Sequence, residues 1–236
     1  MIQIAAPATV LRAMAFAFAL FATYASPLCA ETPRILMIGD SMLASHREKG
    51  AAVGDALAEA LGEPVRNMSK NGAKVIHALP LTGAMGMRIS AQVIEGTWDW
   101  VVVNGGGNDL MFACGCRACD TRIERMIGAD GAMGKIPELI AHLRSTGARV
   151  VYVGYLRSPG IGSLIEGCAD EGDTLEARLA AMARRDRGVY FVPLTDIVPE
   201  GDRSFHTRDR IHPSVKGAAA IAARIADVIR KADKTR

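Results

Sequence analysis

Five residues of this chain, in four stretches, have the types and settings that nucleophilic chemistry asks for. Ser41 closes the stretch Gly39-Asp40-Ser41, directly after the apolar run Ile35–Ile38. A serine hydroxyl becomes a nucleophile when a base takes its proton, and the base works best when a third group orients it. Asp209 and His212 stand three residues apart in TRDRIHPSVKG (Thr207–Gly217). In a turn entering a helix, that spacing lets the carboxylate reach one imidazole nitrogen while the other faces outward. Attack on an acyl carbon builds an oxyanion, which needs hydrogen-bond donors. Three are on offer: the Ser41 N–H at a helix start, where N–H groups lack partners, the Gly72 N–H in NMSKNGAKV, and the Asn108 amide that follows the glycines of NGGGNDL. Each stretch alone has a plainer reading. Asp40 or Ser41 caps a helix, Gly72 makes a turn, and a lone D-x-x-H is a cap beside an incidental histidine. NGGGNDL is a weak phosphate loop, since no G-K-[ST] follows and no G-x-G-x-x-G opens a helix. The chemical reading gains weight because all four stretches follow strand-like segments.

Those segments are Arg34–Ile38, Pro64–Ser69, Trp100–Gly105, Arg149–Tyr155 and Val189–Leu194. The third is continuous and apolar, as a strand covered on both faces should be. Helical spacing runs through Lys49–Leu61, Asp120–Ser145, Thr174–Arg185 and Ser214–Lys231, and less regularly through Gly83–Ile94. Pro137 predicts that Asp120–Ser145 is two helices or one kinked helix. Pro213 stands where a helix start tolerates proline. Five strands alternating with helices predict an α/β fold, an open parallel sheet with helices on both faces, and a ligand crevice outside the carboxyl ends of the strands.

The 236 residues suit one such domain. With 28 basic and 25 acidic residues the charge is too balanced to point to nucleic acid, and no basic stripe interleaves with aromatics. From Met1 to Ala30 the one charged side chain is Arg12, and Ala13–Ala25 is an apolar run followed by small residues. Residues 1–30 therefore read as a signal peptide and 31–236 as the mature domain, periplasmic or secreted, with no stable membrane span after cleavage. The run is short for a membrane span, and Leu28 before Cys29 disfavours lipidation. Export leaves Cys114, Cys116, Cys119 and Cys168, read as two disulfides rather than a zinc site built on Cys116-x-x-Cys119. A Cys114–Cys116 bond would close a strained ring. Excluding it, Cys168 bonds Cys114 or Cys116.

The blocks Gly39-Asp40-Ser41, Gly72, Gly106-Gly107-Asn108-Asp109 and Asp209-Arg210-Ile211-His212, taken together, resemble the GDSL, or SGNH, hydrolase family, with Met42 where that family usually has Leu. The resemblance implies a three-layer α/β/α, flavodoxin-like fold of strand order 2-1-3-4-5 and ester hydrolysis with no cofactor and no metal. It makes Ser41 the nucleophile, His212 the base, Asp209 its orienter, and Ser41 N–H, Gly72 N–H and the Asn108 amide the oxyanion hole. In that order the CGCRAC loop and the loop bearing Cys168 rise beside Ser41, where a disulfide joining them would stiffen one wall of the crevice. Tyr155 and Arg157, after the fourth strand, are expected to line it. The implied activity is a serine esterase, lipase-like in class, on a lipid, carbohydrate O-acetyl or small ester. An acyltransferase on the same fold and a non-catalytic glycan- or lipid-binding module are the alternatives. Arg203, Arg208 and Arg210 flank the base and would suit an anionic ester. His206 is a weaker candidate base because Arg203, not a carboxylate, stands three residues ahead of it. His46 reads as a surface or packing residue on the helix after Ser41, His77 and His142 as structural residues without a partner, and Asp109 as a brace between loops.

Overall fold

Apolar residues placed at every position of a strand demand cover on both faces, and this chain meets that demand with three layers. The computed structural model describes Ile2, residues 32–160 and residues 162–234. Apart from Ile2, the segment read as a signal peptide, Cys29 included, lies outside the described residues. The chain divides into Met1–Ala30 and Glu31–Arg236, and the elements that follow belong to the second unit. Strands β1 (Ile35–Ile38), β2 (Val65–Asn67), β3 (Trp100–Val103), β4 (Arg149–Val153) and β5 (Val189–Val192) form one parallel sheet in the order β2-β1-β3-β4-β5. Ile35 pairs with Val65 on one side and Trp100 on the other; Trp100 in turn pairs with Arg149, and Val150 with Val189.

Side chains alternate across a strand, so the two faces take alternate residues. Leu36, Ile38, Val101, Val103, Val150 and Tyr152 pack against α3 (Asp120–Met126), α4 (Lys135–Ser145) and α5 (Ala169–Ala183). Ile35, Met37, Trp100, Val102, Val151 and Val153 pack against α2 (Val53–Leu61) and α6 (Val215–Asp233), whose Ala218, Ala222 and Ala226 keep the layers close. Among the described residues no helix is long and apolar enough to cross a membrane.

Four helical expectations change in detail. The stretch Lys49–Leu61 begins its helix only at Val53. Before it come the single turn α1 (Ser41–Ala44) and a tighter turn, Arg47–Lys49, flanked by His46 and Gly50 in left-handed conformation (φ 65° and 62°). Gly83–Ile94 is not one helix. Gly86 at φ 95° breaks it, and Lys74 N–H to Met87 O and Ile89 N–H to Lys74 O tie the chain to the loop after β2. Asp120–Ser145 is two helices, but Pro137 does not separate them. It sits in the first turn of α4, where its missing N–H costs nothing, and the break is the glycine-rich 127–134 segment. The α5 helix starts earlier than expected, at Ala169, with Asp170 and Glu171 in its first turn, where negative charge suits the helix dipole.

Candidate active site

At the carboxyl end of β1 the chain turns so tightly that Gly39 has no room for a side chain: a Cβ there would stand 2.8 Å from Asn104 O on the neighbouring strand's exit. The Gln92 carboxamide clamps the turn, accepting from Gly39 N–H at 2.7 Å and donating to Gly39 O at 2.9 Å and Gly86 O at 2.8 Å. Asp40 then caps α1, its Oδ1 accepting from Met42 N–H at 2.9 Å. Ser41 follows as the first residue of α1. The capping and nucleophile readings of this stretch are thus compatible, because adjacent residues take the two parts.

His212 reaches Ser41 from the loop ahead of α6, 171 residues away. Its Nε2 lies 2.9 Å from Ser41 Oγ and its Nδ1 lies 2.6 Å from Asp209 Oδ2. Asp209 is itself held by Thr207 Oγ1 at 2.6 Å and by the N–H groups of Ile211 and His212 at 2.9 and 3.0 Å. Burial works to raise the Asp209 carboxyl, but these hydrogen bonds outweigh it and keep the group ionised well below the usual carboxylate range. The loop is tight: Arg210 adopts φ 59°, and Thr207 N–H bonds His212 O at 2.8 Å. It is tied to its surroundings by His46 Nε2 to Pro213 O at 2.9 Å and by Ser163 Oγ to Arg210 O at 2.7 Å. His46 therefore lies just beyond α1 and anchors the loop that carries His212.

Ser41, Gly72, Asn108 and His212 all line one cavity of about 810 Å³. One N–H of the Asn108 carboxamide is anchored on Ala73 O at 2.9 Å, beside Gly72, leaving its second N–H for a ligand. Among the described residues the Ser41 and Gly72 N–H groups have no acceptor, so three residues with a donor to offer line the cavity that holds Ser41. Asp109 braces the loops as expected, accepting from Val75 and Ile76 N–H at 2.8 and 3.0 Å and pairing with Arg122 at 2.7 Å. Burial raises its carboxyl against the pull of those hydrogen bonds. Tyr155 and Arg157 both line the cavity. Tyr155 Oη donates to Asp40 Oδ2 at 2.6 Å and accepts from Gly107 N–H at 2.8 Å. Arg157 is paired with Asp173 at 2.6 Å and Glu176 at 3.1 Å.

The cysteines form Cys114–Cys119 and Cys116–Cys168 bridges. All four cysteines are spent in these bridges, so the zinc alternative is not the arrangement found. The second bridge joins the loop after β3 to the start of α5, and Cys168 borders the cavity with Met111 and Phe112. His206 does not compete for Ser41. It is buried, and among the described residues neither ring nitrogen has a partner. His77, read as unpartnered, bonds Thr82 Oγ1 at 2.8 Å. Sequence reasoning did not find Gln92 or Glu176, which support the site through contacts spanning 53 and 21 residues. No local pattern marks either.

A three-layer α/β/α fold with a serine, a histidine and an aspartate in one hydrogen-bonded line at the carboxyl edge of a 2-1-3-4-5 sheet is the SGNH hydrolase architecture. The chain belongs to the GDSL-like Lipase/Acylhydrolase family, whose profile matches residues 37–220. Solved structures agree in fold. A provisionally assigned acylhydrolase from Bacteroides fragilis is 18% identical at TM-score 0.61, over 86% of this chain and 91% of that one. A carbohydrate acetylesterase family member from Sinorhizobium meliloti is 16% identical at TM-score 0.59, over 85% and 98%. The protein TesA is 18% identical at TM-score 0.59, over 84% and 98%. A search of the curated proteins finds no match.

Proposed function

We propose that this chain is an exported serine esterase, periplasmic or secreted, that cleaves carboxylic esters through an acyl-enzyme on Ser41. The observation that carries the reading is the line Asp209 Oδ2, His212 Nδ1, His212 Nε2, Ser41 Oγ, with steps of 2.6 and 2.9 Å. Ser41 Oγ attacks the ester carbonyl while His212 Nε2 takes its proton, and the ionised Asp209 stabilises the imidazolium. The carbonyl oxygen becomes an oxyanion held by the Ser41 and Gly72 N–H groups and the free N–H of Asn108. Collapse expels the alcohol, protonated by His212. Water, activated by the same imidazole, then releases the acid and restores Ser41. Export is supported by the apolar run Ala13–Ala25 and by the two bridges.

The cavity suits an acyl group larger than acetyl. Met42, Leu110, Met111, Phe112, Leu156 and Ile165 supply an apolar lining. Arg157, among the described residues the one Lys or Arg that lines the cavity, is already neutralised by Asp173 and Glu176, and Arg210 is spent on Gly162 O at 2.8 Å. An anionic ester thus finds little to recognise. The test has two arms. A fluorophosphonate probe is expected to label the mature protein and not Ser41→Ala; absence of labelling in both favours a binding module. Across aryl esters of rising chain length, kcat/KM is expected to climb beyond acetate. A maximum at acetate, or on acetylated polysaccharide, would instead place the activity with acetyl removal.

A further inference from the structure

Gly107 N–H, Tyr155 O–H and the Asp40 carboxylate form a directional chain between two turns that the proposed reaction needs in register. We propose that Tyr155 is a positioning residue: its one hydroxyl holds the turn ahead of Ser41 against the turn ahead of Asn108, so that nucleophile and oxyanion donor keep a fixed separation. The inference rests on the esterase reading above and adds a coupling between two of its parts. Tyr155 Oη accepts from Gly107 N–H at 2.8 Å and donates to Asp40 Oδ2 at 2.6 Å. Asp40 uses its other oxygen to cap α1 through Met42 N–H at 2.9 Å. One side chain after β4 therefore joins the residue before the serine to the residue before the asparagine.

Each partner is confined. Gly107 lies so close that a Cβ would meet the Tyr155 ring at 2.7 Å. Tyr155 has its own backbone N–H fixed on Glu176 Oε1 at 3.0 Å, and Glu176 is only 6% exposed. Asp40 is 2% exposed, so water does not substitute for the phenol. Such a chain strengthens cooperatively, because each donated hydrogen bond makes the donor's own oxygen a better acceptor. Among the described residues Tyr155 Oη bonds neither Ser41 nor His212, which makes it a positioning group and not a catalytic one.

The ionised carboxylate is the form that holds both bonds. A proton on Asp40 costs it one of its two acceptor sites. Burial pushes the Asp40 carboxyl up to about 6, and the Tyr155 hydrogen bond opposes that rise. The other groups whose charge bears on Asp40 are Asp109 from the turn after β3, His212 from the loop before α6, and Tyr152 from β4. Removing the phenol proton leaves the ionised form less favoured, so the acid limb of kcat moves to higher pH.

The test uses Tyr155→Phe and Asp40→Asn in the full mature protein, each checked for folding by far-UV circular dichroism. Fluorophosphonate labelling of the unaltered protein comes first, since its absence removes the esterase reading and this inference together. With labelling established, Tyr155→Phe is expected to lower kcat by ~10- to 100-fold, as small misplacements of reacting groups do. KM should stay within about twofold, the signature of a transition-state effect. The acid limb should move to higher pH in Tyr155→Phe, and that move should vanish in the Asp40→Asn background. Unchanged kcat and pH profile in Tyr155→Phe, with labelling intact, overturn the inference and leave the esterase reading standing. A loss confined to KM, or a limb that moves equally without the Asp40 carboxylate, overturns it as well. If Tyr155→Phe does not fold, Asp40→Asn decides alone: it keeps an acceptor for Met42 and removes the one for Tyr155, so wild-type kcat there overturns the inference.

Discussion

Ser41, Asp40 and Asn108 show how neighbouring side chains divide labour. The Asn108 carboxamide spends one N–H on Ala73 O, and the other is the one assigned to the oxyanion in the proposed reaction. Asn108→Ala is therefore expected to lose ~10²–10³ in kcat with a smaller change in KM, since one donor of such a set contributes that much; near-normal turnover in steady-state assays would remove it from the hole. Asp40 carries the opposite kind of cost. Its buried carboxyl is pushed up to about 6, so the folded chain holds that proton more tightly than the unfolded chain does. The sign follows from linkage: stability from this group is greatest when it is protonated, declines as pH rises from about 4 to about 6, and is level above that. A shift of this size is worth about 3 kcal/mol. Urea denaturation across pH 4 to 7 should show the difference between wild type and Asp40→Asn narrowing or reversing in favour of the variant as pH rises. A pH-independent difference would refute the assignment.

The elements around the crevice owe their rigidity to crosslinks more than to length. The single turn α1 and the broken 83–94 segment would not hold shape alone; Gln92 fastens them to each other at the exit of β1 through Gly39 and Gly86, and Asp109 fastens the loop after β2 to the loop after β3 through Val75 and Ile76. On the other side the Cys116–Cys168 bridge spans 52 residues of sequence and ties the loop after β3 to α5. Loop-closure entropy for that separation is about 4 kcal/mol. Replacing both cysteines by serine is expected to lower the thermal midpoint. It should also weaken discrimination between long and short acyl chains, because Cys168 and Phe112 border the same cavity. An unchanged chain-length profile in aryl-ester assays would detach the bridge from specificity.

Across the whole molecule the two ends of the parallel sheet have different tasks. The carboxyl ends hold the cavity, whereas the amino ends hold a charge cluster. There Arg34, just before β1, bonds Glu63 at 2.5 and 2.6 Å, Asp233 at 3.0 Å and Asp99 at 3.5 Å, while Arg149, first in β4, bonds Asp233 and stacks over Trp100. Asp233 ends α6, the helix that begins behind His212. Asp233→Ala should cost about 1–3 kcal/mol by leaving two part-buried guanidinium groups short of a partner. It should leave kcat untouched, because the cluster lies at the opposite edge of the sheet. A calorimetric scan paired with turnover would show it, and a fall in kcat at full folding would mean the two ends are coupled.

Much of this was legible from the chain alone. Continuous apolar runs at Ile35–Ile38 and Trp100–Val103 state strands covered on both faces, and the alternation with helices states a parallel sheet, since these patterns reflect burial that every residue in the run must satisfy. Ser41, Asn108, Asp209 and His212 were legible too, because each sits in a short stretch whose neighbours are part of the same turn. Tertiary structure alone decided the rest. Asp40 meets Tyr155 across 115 residues and Gln92 meets Gly39 across 53, and nothing local records such contacts. The broken 83–94 segment followed the same logic: its helical spacing was less regular, and pairing with Lys74 and the left-handed Gly86 outweighed it. Local pattern carries what a residue's own neighbours enforce, whereas the setting of a reactive group depends on which distant surfaces the packed layers bring together.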